Sequence, residues 1–142
     1  MEHAFWDSSS IVPICVKEPK TANALKLARK FGITVWWATP LEVRSAFARM
    51  LRLGQIVSKD QAQALVVLDT LRRTWREILP DSEIRQRAED LVERFPLTAA
   101  DALQLGAAWL WCNGHPHNRK FVSSDVRLLE SASQLGFDGI AT

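Results

Sequence analysis

Asp7, Glu42, Asp101 and Asp125 each stand where a helical pattern begins, and most follow an apolar, β-rich run. Asp7 closes Ala4-Phe5-Trp6 and opens Ser8-Ser9-Ser10, while Asp125 ends Lys120-Phe121-Val122-Ser123-Ser124. Glu42 follows Ile33-Thr34-Val35-Trp36-Trp37 across a Thr39-Pro40 break, and Asp101 lies in the first turn of an apolar segment at 99–111. These positions read as four strand-to-helix junctions. In an open parallel sheet the carboxyl ends of the strands share one edge, where ligands bind. Carboxylates gathered at that edge repel one another unless a cation lies between them, and a hard divalent ion such as Mg²⁺ takes oxygen ligands of this kind. The pattern implies metal-assisted hydrolysis of a phosphodiester.

The elements that must position these acids alternate along the chain. Ala24, Leu25, Ala28 and Phe31 fall at helical spacing before Gly32, and the β-rich run 33–37 follows. Val43, Phe47, Met50 and Leu51 share one helical face, closed by Gly54. Ser58 with Gln61 reads as a capping box for a helix through Ala64, Leu68, Leu71 and Trp75. Ile78-Leu79 is a short strand candidate, and Asp81 can cap a helix carrying Ile84, Ala88, Leu91 and Phe95. Residues 99–111 are apolar almost all round, as in a buried central helix. Phe121-Val122 reads as a strand, Leu128, Leu129, Ala132 and Leu135 as a helix ending at Gly136, and 137–141 as a last strand. Strands separated by helices predict an α/β fold: a central parallel sheet of four or five short strands, with helices on both faces. No repeat, low-complexity stretch or linker divides residues 1–142, so one domain is expected.

Each acid also has a bland explanation. Thr39-Pro40-Leu41-Glu42 and Thr98-Ala99-Ala100-Asp101 read as capping boxes, Asp125 as the cap of the last helix, and Asp7 as an Asx-turn residue. Capping alone does not require acids at all four sites, nor the serines Ser8, Ser9, Ser123 and Ser124 beside two of them. Hydroxyls there can orient carboxylates or a bound water. Other chemistries lack their residues: there is no glycine-rich phosphate loop, no GxSxG elbow, and no second acid two positions after Asp7, where Ser9 stands.

Composition sets the bounds. The 142 residues are 47% hydrophobic, enough for an ordinary packed core. Eighteen Lys and Arg against sixteen Asp and Glu give a net charge of +2, so gathering four acids in one pocket leaves a basic surface around it, suited to a polyanion. Cys15 and Cys112 have no metal-ligand spacing and read as buried thiols. No apolar run approaches a membrane span, and the start Met1-Glu2-His3-Ala4 lacks signal-peptide character, so a cytoplasmic location is expected. Of six Trp residues, Trp36 and Trp37 point to opposite sides of a strand, so at most one is exposed.

Four segments in register carry a resemblance. Phe5-Trp6-Asp7-Ser8-Ser9 with Glu18-Pro19, then Glu42-Val43 with Arg49, Gly54-Gln55-Ile56 and Ser58, then residues 97–105 and 121–129, resemble in order the motifs of PIN-domain ribonucleases. The likeness is strongest to the VapC-type toxins of VapBC toxin–antitoxin systems. It implies a single PIN-like domain and a metal-dependent endoribonuclease, the toxin component of a type II system. Asp7, Glu42, Asp101 and Asp125 would be the catalytic quartet binding Mg²⁺ or Mn²⁺, with Ser8 and Ser123 as supporting hydroxyls. Gln104 departs from the family, in which many members carry His at this position. The resemblance further implies an RNA substrate, a cognate antitoxin protein and a homodimer. Phe47, Leu51, Leu68 and Trp75, on helices at 43–53 and 62–75, are candidate anchors for a partner. A non-catalytic nucleic-acid or protein-binding module on the same fold is the alternative, against which the intact quartet argues.

Overall fold

The computed structural model describes residues 1–142. Strand β1 (His3–Trp6) leads into helices α1 (Ser8–Cys15) and α2 (Thr21–Lys30). Strand β2 (Gly32–Trp36) is followed by α3 (Thr39–Arg52) and α4 (Ser58–Arg72), and β3 (Arg76–Ile78) by α5 (Ser82–Arg94) and α6 (Ala99–Trp111). Strand β4 (Lys120–Ser123), helix α7 (Val126–Leu135) and strand β5 (Asp138–Ala141) complete the chain. The five strands form one parallel sheet in the order β3-β2-β1-β4-β5. This is the α/β architecture the alternating periodicities predict, with helices on both faces.

The alternation of side chains along each strand divides the core in two. Ala4 and Trp6 of β1, Val35 of β2 and Val122 of β4 face a layer that includes Ile11, Val43, Phe47, Ala64 and Leu68 from α1, α3 and α4. Phe5, Trp36 and Phe121 face the opposite way, against Ile84 and Leu91 of α5, Leu105 of α6 and Leu128 of α7. Phe5 stacks on Phe121 with ring centroids 5.6 Å apart, joining β1 to β4 through side chains as well as backbone. Trp36 is buried, whereas Trp37, one residue past the end of β2, is half exposed. Cys112 is buried and Cys15 half-buried; both are free thiols, and burial pushes the Cys15 thiol up to about 12.

Several expectations are revised. Phe47, Leu68 and Trp75 lie inside the layer under α3 and α4, so they fill the chain's own core and cannot anchor a partner; Leu51 is only partly buried there. Helix α4 is not capped by Ser58. Val57 precedes it, and the Asp60 carboxylate accepts from the Val57 N–H at 2.9 Å, because an acid in the first turn can reach back where Val57 has no side-chain acceptor. The strand candidate at Ile78-Leu79 lies two residues earlier, at Arg76–Ile78. Asp101 does not follow a strand: α5 runs through a short connection directly into α6, so its junction is helix to helix. The α5–α6 pair packs closely because Gly106 has no side chain; a Cβ there would come within 3.0 Å of the Ile84 carbonyl oxygen on α5.

Candidate active site

All strands are parallel, so their carboxyl ends share one edge. The chain runs from β1 outward to β2 and β3, then returns to place β4 on the other side of β1. The cleft edge between β1 and β4 is therefore the topological switch point, where open α/β sheets bind ligands. Asp7 leaves β1 there and Asp125 follows β4. The Asp7 N–H donates to the Val122 carbonyl at 3.1 Å, which fixes the end of one strand to its neighbour. Glu42 reaches the same edge from the first turn of α3, and Asp101 from the first turn of α6.

Asp7 is 4% exposed. It caps α1: Ser9 donates its N–H to Oδ2 at 3.4 Å and its hydroxyl to both carboxylate oxygens at 2.9 and 3.0 Å. The Ser9 hydroxyl also accepts from the Ser124 N–H at 3.0 Å and lies 3.2 Å from the Ser123 hydroxyl. Ser123 in turn accepts from the Asp125 N–H at 2.9 Å. Two acids on neighbouring strands are thus linked through a pair of serines. Asp125 caps α7 with a single oxygen, Oδ1, which accepts from the Arg127 and Leu128 N–H groups at 2.9 and 3.3 Å.

The other half of the site centres on Glu42. Its carboxylate accepts from the Ser8 hydroxyl at 3.0 Å and from Gln104 Nε2 at 3.1 and 3.2 Å. The same Nε2 donates to the Ser8 hydroxyl at 2.8 Å and to Thr39 Oγ1 at 3.1 Å. Glu42 is therefore not spent on a capping box. Ala38 precedes α3, the helix start is set by Pro40, and Thr39 turns its hydroxyl inward to Gln104. At α6 only half of the expected box forms. The Thr98 hydroxyl accepts from the Asp101 N–H at 3.2 Å, but the Asp101 carboxylate does not reach back to the Thr98 N–H.

Charge ties the halves together. Burial pushes the Asp7 carboxyl from the ordinary carboxylate range up to about 7; the hydroxyls of Ser123 and Ser9 oppose the rise, and the Asp101 charge adds to it. Glu42 is raised by burial, with Gln104 and Ser8 opposing and Asp101 adding. Asp101 is itself raised by burial, with Thr98 opposing and Asp125 adding. Asp101 is thus the acid whose charge is felt on both sides. No Lys or Arg forms an ion pair with any of the four acids, the single ion pair of the molecule being Lys120–Asp138 at the outer edge of the sheet; Lys20, beside the site, donates to the Ser124 carbonyl at 3.1 Å. The acids feel one another's charge, yet no three of them converge on one point as a finished ligand cage. The donor set still fits Mg²⁺ or Mn²⁺: four carboxyl groups at one edge, none in an ion pair and flanked by hydroxyls.

Sequence reasoning named two residues here without assigning their roles. Ser9, rather than Ser8, holds Asp7; its place two residues after the acid, at a helix start, is the signal for this. Gln104 stands out in the sequence as a departure from the resembled family and as a polar residue in the middle of an apolar helix, neither of which names its partners. It is 1% exposed, and its Oε1 is buried without a hydrogen-bond partner.

No family model matches the sequence, and no curated protein matches it. Solved structures do match the fold. PAE2754 from Pyrobaculum aerophilum is similar with a TM-score of 0.66 and 19% identity, over 97% of this chain and 89% of that one. VapBC2 from Rickettsia felis, bound to a DNA fragment from their promoter, is similar with a TM-score of 0.66 and 14% identity, over 96% of this chain and 98% of that one. At such identities the likeness establishes the fold, which is PIN-like across essentially the whole chain.

Proposed function

We propose that the protein is a metal-dependent endoribonuclease and the toxin component of a type II toxin–antitoxin pair. The observation that carries the catalytic reading is the gathering of Asp7, Glu42 and Asp101, each raised by burial and by the charge of a neighbouring acid, with no ion pair to any of them. A folded protein maintains such a group at a cost, and a divalent ion removes that cost. Asp7, Glu42, Asp101 and Asp125 would hold Mg²⁺ or Mn²⁺. When bound, such an ion lowers the pKa of a water and offsets negative charge developing on a phosphodiester. The chain's own residues supply position. Ser9 and Ser123 hold Asp7 toward the switch point, and Ser8 and Gln104 hold Glu42. Asp125 keeps one oxygen on the α7 backbone and leaves the other free. With water as the attacking group and the 3′ oxygen as the leaving group, which departs with a proton, cleavage should leave 5′-phosphate and 3′-hydroxyl ends without a protein nucleophile.

The toxin reading is supported by the fold shared with a VapBC2 structure and by the four motif segments in register. An acidic pocket of this kind can also accept an Arg or Lys from a partner that silences it.

Purified protein should cut RNA in Mg²⁺ or Mn²⁺ and stop in EDTA. Asp7→Asn and Asp101→Asn should each lose most of the activity while remaining folded; full activity in either would sink the assignment. Co-expression with the neighbouring gene tests the pairing. Growth unaffected by high expression alone, with no co-purifying protein, would refute the toxin role and leave the nuclease reading standing.

A further inference from the structure

Helix α3 carries Glu42 in its first turn and continues away from the carboxylates along an open cleft of about 450 Å³. Glu42 lines one end, and Ser45, Arg49, Met50, Leu53 and Gln55 line the rest. Arg49 follows Glu42 by two helical turns, about 10 Å along the axis and on the same face of the helix. It is exposed and pairs with no carboxylate. Leu53, beside it, is 60% exposed. A larger cleft of about 610 Å³ between α1, α2 and α4 touches none of the four acids, so it has no such relation to the site.

The α3 cleft is two-ended. Its near end is anionic and admits a phosphate only with a cation between them; its far end is an unpaired guanidinium, the side chain best shaped to hold a phosphate directly. A chain of regularly spaced phosphates matches both ends at once. We infer that the α3 cleft is the track of the RNA strand, with Arg49 holding a backbone phosphate a nucleotide or two from the scissile one. Ser45 offers a polar contact between the two ends, and Leu53 and Gln55, beyond Arg49, offer an apolar surface and a polar contact to the next ribose or base. This rests on the endoribonuclease reading and adds to it the direction in which substrate leaves the acids.

The test uses a labelled single-stranded RNA long enough to span the cleft, and a dinucleotide, bound to the full chain in an Asp7→Asn background that prevents turnover. Arg49→Ala should weaken binding of the longer RNA about tenfold, reduce the slope of log affinity against log salt by about 0.7, and leave the dinucleotide unaffected. Arg49→Lys should restore part of the loss. Arg52→Ala, on the same helix but off the cleft, should change neither. With Asp7 intact, Arg49→Ala should raise KM and spare kcat. Equal effects of Arg49→Ala and Arg52→Ala, or equal effects on both RNAs, would overturn the track. So would an Arg49→Ala variant that binds RNA normally but no longer holds its gene neighbour's product, since the cleft would then belong to a protein partner. A parent protein that cuts RNA with KM unmoved by Arg49→Ala overturns the track alone; one that neither binds nor cuts RNA overturns the reading beneath it.

Discussion

Asp7 and Gln104 carry the sharpest expectations for single residues. The Asp7 carboxyl, raised to about 7, keeps its proton in the folded protein where the unfolded chain has released it. Its ionisation therefore costs nothing below about pH 4 and destabilises progressively as pH rises toward 7, reaching a ceiling of about 4 kcal/mol above that. In metal-free buffer Asp7→Asn should melt higher than the parent at pH 8 and match it near pH 4; thermal scans across that range would reveal a wrong sign at once. Gln104→Leu removes the donor shared by Glu42, Ser8 and Thr39, and should cost about 1–3 kcal/mol because those groups are left unsatisfied. Gln104→His keeps a donor at the position and should lose less stability and less activity. Denaturant titration together with an RNA cleavage assay separates the two. The acids themselves are legible in the sequence as types and positions. The hydrogen bonds of Gln104 are not, because periodicity reports which face a residue occupies and not which distant side chains meet it.

Helix starts do two jobs in this fold, and substitution can separate them. Asp125→Ala deletes the cap of α7 and should cost about 1 kcal/mol, whereas Asp125→Asn keeps an acceptor for the Arg127 and Leu128 N–H groups and should leave stability close to the parent's. Both should impair cleavage. If Asp125→Asn cut RNA at the parental rate, Asp125 would be a cap and nothing more. At this scale the sequence reads well where the pattern is local. The helix caps at Asp81 and Asp125, the stop at Gly136 and the strand at 120–123 all follow from neighbouring residues. It reads poorly where packing decides. Nothing in 95–98 announces that Asp101 reaches the strand edge without a strand of its own, because that depends on α6 lying close against α5 at Gly106.

For the whole molecule, the side chains at Phe47, Leu68 and Trp75 that the sequence offers as partner anchors belong to one of two cores flanking the sheet. What remains outside includes Leu41, Leu53, Val57 and Val66, each more than half exposed. The two-faced sheet follows from alternating periodicities, but the strand order, and so the pairing of Asp7 with Asp125 across the switch point, does not. Binding of a divalent ion to the native state alone should raise the melting temperature in proportion to the logarithm of its concentration. Mg²⁺ should therefore stabilise the parent, and should stabilise Asp7→Asn and Asp101→Asn less. Equal shifts in parent and variants, measured by differential scanning fluorimetry, would mean that the ion binds elsewhere.

The return of the chain to lay β4 beside β1 also sets when the site comes into being. Asp7 is synthesised well before its neighbour across the switch point, which arrives only after three strands and six helices have emerged. A growing chain that has reached Trp111 holds Asp7, Glu42 and Asp101, yet lacks both Asp125 and the strand whose Val122 carbonyl pins the end of β1. Until β4 has emerged the proposed RNA-cutting centre is incomplete, while the chain is still tethered to a message. Ribosome-bound chains stalled before Lys120 should leave that message intact, and cleavage by such chains would show that β4 is dispensable.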